Sequence, residues 1–135
     1  MTTLHLVTDA ISEPITIKLD EDGPSLNGDI IESLPLETTL GHVVVSGGGI
    51  WLPTRYVFTG EPNWVQRKRG TVYFYAPGQS ICITYGAVTE SANVNRLGEV
   101  IPEHLDRLTE LGNAVWKLTI DAAQRPPVKV NLNAA

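Results

Sequence analysis

Cysteine is nearly missing from this chain: Cys82 stands alone among 135 residues. It has no partner for an internal disulfide, which excludes a disulfide-stapled scaffold and a zinc site built on several thiolates, and agrees with a reducing compartment. Long apolar runs are absent as well, none approaching the roughly 18 uninterrupted residues of a spanning helix. The opening Met1-Thr2-Thr3-Leu4-His5-Leu6 has no basic start and soon reaches Asp9, so no signal peptide is expected and the cytoplasm is the expected location. Positive charge is short too, with 10 Lys and Arg against 15 Asp and Glu and a net charge of −5. Attraction to nucleic acid or to an anionic membrane is therefore not expected. The one basic run, Arg67-Lys68-Arg69, is smaller than a nucleic-acid arm and reads as a solvated flank of a strand. The imidazoles His5, His42 and His104 lie on distant elements, never at metal-ligand spacing, so no metal and no cofactor is expected.

What the chain does have is β-forming sequence, densest from Gly70 to Gly86. Two runs rich in Val, Tyr, Phe, Ile and Thr flank Pro77-Gly78, where Pro suits the first corner of a turn and Gly the left-handed one. This predicts a hairpin-like pair at the centre of a sheet. Upstream, Leu4 and Leu6, then Ile15, Ile17 and Leu19, alternate with polar residues as half-buried strands do. Ser25 is placed to cap a short helix with Leu26, Ile30, Ile31 and Leu34 on its apolar side, closed by Pro35, and Gly28 weakens it. His42–Ser46 and Ile50–Leu52 are β-rich pieces separated by Gly47-Gly48-Gly49, which reads as a tight hairpin turn; a phosphate cradle would need a helix to follow.

From Pro53 to Arg69 a long loop is expected, with one short strand at Tyr56–Thr59. Loops of that length in small domains often carry function, and this one holds Arg55, Tyr56, Glu61, Trp64 and Gln66. Ala87–Arg96 reads as turn-rich and Leu97–Val100 as extended. Pro102 opens a second helix with Ile101, Leu105, Leu108 and Leu111 on one stripe and Gly112-Asn113 as its stop. Alternation returns over Ala114–Asp121, and Val128–Leu132 is a last extended piece. About eight short strands with two widely spaced helices predict a single domain, 1–135, folded as a mainly antiparallel closed β-barrel whose ends the helices cap.

Few residues announce chemistry. Cys82 between Ile81 and Ile83 suits a buried strand with nothing adjacent to lower its pKa, and Ser46 lacks the elbow of a hydrolase serine. Glu61, Glu90 and Glu99 lie near loops, but spacing alone does not pair them. Aromatic and amide side chains beside turns do recur: Trp51, Tyr56, Trp64, Tyr73, Tyr75, Gln79, Tyr85, Asn93 and Asn95. Such residues line concave sites, rings supplying apolar area and amides fixing orientation. By alternation Tyr73 and Tyr75 share a face, whereas Cys82 and Tyr85 oppose one another.

The segment from about residue 14 to 121 resembles a family of small bacterial and archaeal cyclophilin-like proteins. The marks are the helix ending Ser33-Leu34-Pro35, the strand Gly49-Ile50-Trp51-Leu52-Pro53, the run from Tyr75 to Gly86, and Asn95-Arg96-Leu97-Gly98-Glu99-Val100 before a helix. The resemblance implies a cyclophilin-like barrel. Cyclophilins isomerise prolyl bonds with an Arg beside an apolar pocket. Here the strand in question reads His42-Val43-Val44-Val45 with no Arg, the pocket Phe falls near Cys82, and the His position falls near Asn93 and Val94.

The reading that results is a binding protein or small enzyme holding a small polar ligand or short peptide at the barrel side. Trp51, Tyr56, Tyr75, Gln79, Tyr85 and Asn95 are the expected ligand-binding residues, and Arg55 is the expected catalytic group, pairing with a carboxylate or polarising a carbonyl. A divergent prolyl isomerase using Arg55, or a non-catalytic interaction subunit able to form homo-oligomers, are the alternatives.

Overall fold

Alternation in the N-terminal segment yields strands β1 (Thr2–Thr8) and β2 (Ile15–Leu19), with Leu4, Leu6, Ile15, Ile17 and Leu19 all buried. The structure, a computed structural model, describes residues 2–44, 47–89, 92–120 and 127–135. Seven more strands follow: β3 (Leu36–His42), β4 (Gly47–Pro53), β5 (Trp64–Gln66), β6 (Thr71–Tyr75), β7 (Ser80–Val88), β8 (Asn93–Val100) and β9 (Val128–Ala134). Every pairing is antiparallel, in the order β2-β1-β9-β3-β4-β7-β6-β8, and β8 pairs back onto β2 to close an eight-stranded barrel. The ninth strand, β5, lies on the first half of the β8 edge whose second half holds β2.

The closing seam is tight. Leu19 faces Gly98, where a Cβ would come 2.2 Å from the carbonyl oxygen of Lys18, so only glycine lets the two backbones approach. Beside it Arg96 grips Asp20 with two charge-assisted hydrogen bonds of 2.7 and 3.1 Å. The Asn27 amide donates to the carbonyls of Asp20 and Leu97, which ties helix α1 (Leu26–Glu32) to the same seam. Ser25 stands at the N-cap of α1, but its hydroxyl donates to the Thr59 carbonyl instead of capping, and Ile31 of the expected stripe is exposed.

Several boundaries differ from the sequence reading, each for a physical reason. The three glycines lie inside β4, where Gly47 alone of them takes a positive φ; Val45 and Ser46 lie outside the described residues. Pro77-Gly78 belongs to a 3-10 turn over Ala76–Gly78, and the left-handed corner falls on Gln79 (φ 47°). Tyr56–Thr59 forms no strand; the short strand of that loop is β5. Asn93–Arg96, expected as turn, is the first half of β8.

The largest difference is helix α2 (Leu105–Thr119), entered through a 3-10 turn at Pro102–His104. It runs through the expected stop at Gly112-Asn113 and the expected strand beyond. Leu108, Leu111 and Val115 continue one helical face and are fully buried, so packing overrides propensity. Gly112 is there because the Tyr85 ring presses on it: a Cβ would lie 2.3 Å from the ring. The described residues contain no helix long and apolar enough to cross a membrane.

The glycines at the seam and in α1 should respond oppositely. Gly28 is exposed with nothing within 4 Å of a built Cβ, so Gly28→Ala should stabilise by about 0.5–1 kcal/mol. Gly98→Ala should cost about 1–3 kcal/mol by wedging the seam. Urea unfolding midpoints of the two variants check the signs.

Candidate functional site

The strands β4, β7 and β6 are apolar on both faces, and their two sets of residues serve different ends. Ile50, Leu52, Val72, Phe74, Ile81 and Ile83 point into the barrel and form its core. Trp51, Cys82 and Tyr73, directly opposite one another across the three strands, point out. A bulge between β6 and β8 continues this outer set: Val72 pairs with Gly98 but Tyr73 with Arg96, so the alternation of β8 switches at Leu97. Val94 is thereby turned outward beside Tyr73 and Cys82, with Val65 packed on them, while Asn95 pairs with Phe74.

Over this outer floor lies a cavity of about 620 Å³. Trp51, Tyr75 and Arg67 stand around it, Val43 and Val44 form the rim after β3, and Asn93 and Val94 close the β8 side. The Trp51 ring lies across Gly41 of the neighbouring strand, where a Cβ would approach it to 2.4 Å. Arg67 reaches over the floor: its Nη1 donates to the Tyr73 hydroxyl at 3.3 Å, and the guanidinium carbon is 6.0 Å from the Tyr73 ring centroid. Burial pushes the Cys82 thiol up to about 12, against smaller lowering effects of Tyr73 and Arg67, and also raises the Tyr73 phenol. Both are therefore neutral near pH 7, and among the described residues the floor is an apolar surface with the Arg67 guanidinium at its edge. Among the described residues no group of three or more His, Cys, Asp or Glu side chains is placed to hold a metal ion.

Of the residues singled out in the sequence, Trp51 and Tyr75 meet in this cavity, together with Tyr73, Cys82 and Asn93. Arg55 and Tyr56 lie elsewhere, in a cleft of about 420 Å³ between the start of β3 and the chain leaving β4. Gln79 sits between the two, its amide donating to the Tyr56 carbonyl at 3.2 Å. Tyr85 is inside the barrel end. Asn95 is buried and accepts the Asn63 N–H at 2.8 Å, anchoring the long loop. Trp64 is exposed on β5, Glu99 pairs with Arg96 at 3.5 Å, and Glu90 lies outside the described residues.

Arg67 was hidden in the basic run. Its two neighbours go elsewhere: Lys68 is exposed, while Arg69 binds Thr109, the Leu105 carbonyl and Asp106 on α2. Three adjacent charges thus take three directions, which charge counting cannot separate. Val43 and Val44, read as strand, form the rim.

Behind that rim, His42 is held between β7 and α2. Its Nδ1–H donates to the Val43 carbonyl and its Nε2 accepts from the Tyr85 hydroxyl, both at 2.5 Å, and the ring meets Trp116 edge-on at 4.8 Å. Burial lowers its pKa, against the raising effect of the Val43 carbonyl. His104 is likewise held neutral: its Nδ1 accepts the Thr16 N–H at 3.0 Å, and burial and then Arg107 lower its pKa.

The model of the Cyclophilin-like family matches residues 12–121. Among solved structures the chain is similar to McbB in complex with tryptophan, with a TM-score of 0.82 and 23% identity over 96% of this chain and 44% of that one. It thus spans less than half of McbB. It is also similar to the solution structure of the hypothetical protein AF2241 from Archaeoglobus fulgidus, with a TM-score of 0.63 and 19% identity over 99% of this chain and 95% of that one. At these identities the likeness shows the fold alone. No curated protein matches the sequence.

Two measurements check the electrostatics. Cys82 should resist iodoacetamide at pH 8 in the folded protein and react promptly in denaturant, since its thiolate is disfavoured only while buried. Both lowered histidines bind protons more readily in the unfolded chain, so stability is complete above about pH 6.5 and falls as pH drops below it toward their folded values. Melting temperature should decline from pH 7 to 5.5, less so in His104→Asn, which keeps an acceptor for Thr16.

Proposed function

The chain belongs to the cyclophilin-like family, and from that premise we propose that it binds a small molecule with a planar apolar body and an anionic group in the outer-wall cavity. The observation that carries this reading is the meeting of Trp51, Tyr75 and Arg67 over a buried floor of Tyr73 and Cys82. A volume of about 620 Å³ suits a small ligand. The rings of Trp51 and Tyr75 supply apolar area on which a planar body stacks. Arg67 receives the anionic group, its charge set against a low-dielectric floor where such a contact gains strength. The fold is shared with McbB, a protein solved with tryptophan, which supports an aromatic carboxylate as the first probe.

Arg55, the residue that a prolyl isomerase of this sequence would depend on, lines the other cleft, apart from Trp51 and Tyr75. The small-molecule reading is therefore the favoured one.

The test is a thermal-shift and calorimetric titration with tryptophan, indole-3-acetate, phenylpyruvate and a proline peptide. A ligand at about a hundred times its Kd adds about 2.7 kcal/mol, a shift on the order of 10 °C for a domain of this size. An aromatic acid should produce it, and Trp51→Ala and Arg67→Met should each raise Kd by at least about tenfold. If only the proline peptide binds, or if binding survives both substitutions, the reading fails.

A further inference from the structure

The second cleft arises where the β3–β4 ladder stops. These strands pair only at Gly41↔Trp51 and His42↔Ile50. Continuing that register would bring Thr39 opposite Pro53, which has no N–H to give, and the first half of β3 pairs instead with β9 on its other side. The gap is propped open by Thr38, whose hydroxyl donates to the Pro53 carbonyl at 2.7 Å. About 420 Å³ remains, lined by residues that include Glu37, Thr38, Thr54, Arg55 and Tyr56.

The hydroxyl protons around this cleft are spent on the protein itself. Thr38 donates to Pro53, and Thr54 donates to the Gln79 carbonyl at 2.6 Å while accepting the Tyr56 N–H at 3.2 Å, which leaves it one lone pair. Ser33 donates to the Ile30 carbonyl at 3.0 Å, which leaves its oxygen to accept from the Tyr56 hydroxyl. What these groups offer a visitor is therefore lone pairs. With Glu37 in the same lining, that part of the cleft is an acceptor surface, suited to a cation rich in N–H donors. Among the described residues of the lining, Arg55 supplies the only charged donors. The two opposite charges line one cavity, yet among the described residues no ion pair of 4 Å or less joins them to each other or to anything else.

The geometry points to a second binding site here, for a small zwitterion: the ammonium group against Glu37 and the hydroxyl oxygens of Thr38 and Thr54, the carboxylate against Arg55. A lone anion would meet Glu37 as a like charge, and a lone cation would meet Arg55. A molecule carrying both charges satisfies each. This site is separate from the cavity of Trp51 and Arg67, with Gln79 and the Pro53↔Ser80 pairing between them.

The experiment is an NMR titration of the full chain with glycine, β-alanine and 4-aminobutyrate, with acetate and methylammonium as single-charge controls. At least one zwitterion should saturate with shifts centred on residues 33–38 and 53–56, while the controls bind at least about tenfold more weakly. Arg55→Ala and Glu37→Gln should each raise Kd by at least about tenfold, and Trp51→Ala should leave it unchanged. Both substituted side chains are exposed, so both variants should keep the parent melting temperature. Failure of every zwitterion to saturate overturns the proposal, as does acetate binding that equals theirs or persists in Arg55→Ala. Because Trp51→Ala reports on the other cavity alone, failure at one site is distinguishable from failure at the other.

Discussion

The seam between β2 and β8 is the contact on which the barrel depends, because without it the sheet has two free edges and no enclosed core. Its chemistry is economical: one missing side chain at Gly98, one guanidinium fork from Arg96 to Asp20, and one amide from Asn27 that serves both strands. The same seam sets the place of β5. Since β2 takes only the later half of the β8 edge, the earlier half is left for Trp64–Gln66, and the long loop is drawn across the wall with Arg67 at its end. The guanidinium of the cavity is thus positioned by how the barrel closes.

The barrel was legible in the sequence because alternation is a strong signal where one face is buried. Leu4, Leu6, Ile15, Ile17 and Leu19 declare their strands outright, and the Gly70–Gly86 pair could be seen as central from its residue types. The errors fall where a second influence competes. At the end of α2 Leu118 and the C-cap residue Ile120 stand two apart and imitate alternation, whereas Val115 continues the buried face of Leu108 and Leu111, and Gly112 imitated a stop while serving the Tyr85 ring. In β8 the bulge at Leu97 reverses which residues face out, so Asn95, expected at a ligand as an amide beside a turn, lies buried opposite Phe74.

Less of the site was legible. Trp51 and Tyr75 were visible as aromatic residues on strands, but which of them share a cavity depends on cross-strand register, a property of pairs of distant segments. Arg55 and Arg67 differ in local sequence by nothing that tells which faces the rings. Only the path of the loop separates them, and it is set by the Asn63–Asn95 contact and the β5 pairing, neither of which is local.

The wall made by β4, β7 and β6 has a further consequence, which concerns how such a protein can change over time. Residues of one parity hold the barrel together and those of the other parity face the cavity, so the outward positions can be exchanged freely for new ligands while the inward ones stay fixed. Residue identity on the outer face is therefore open to drift, but strand length is not. A single inserted or deleted residue within β7 would swap Cys82 and its outward neighbours with Ile81 and Ile83, emptying the core and greasing the surface in one step. Descendants of this fold should differ in side chains along these strands, and vary in length only at the turns between them.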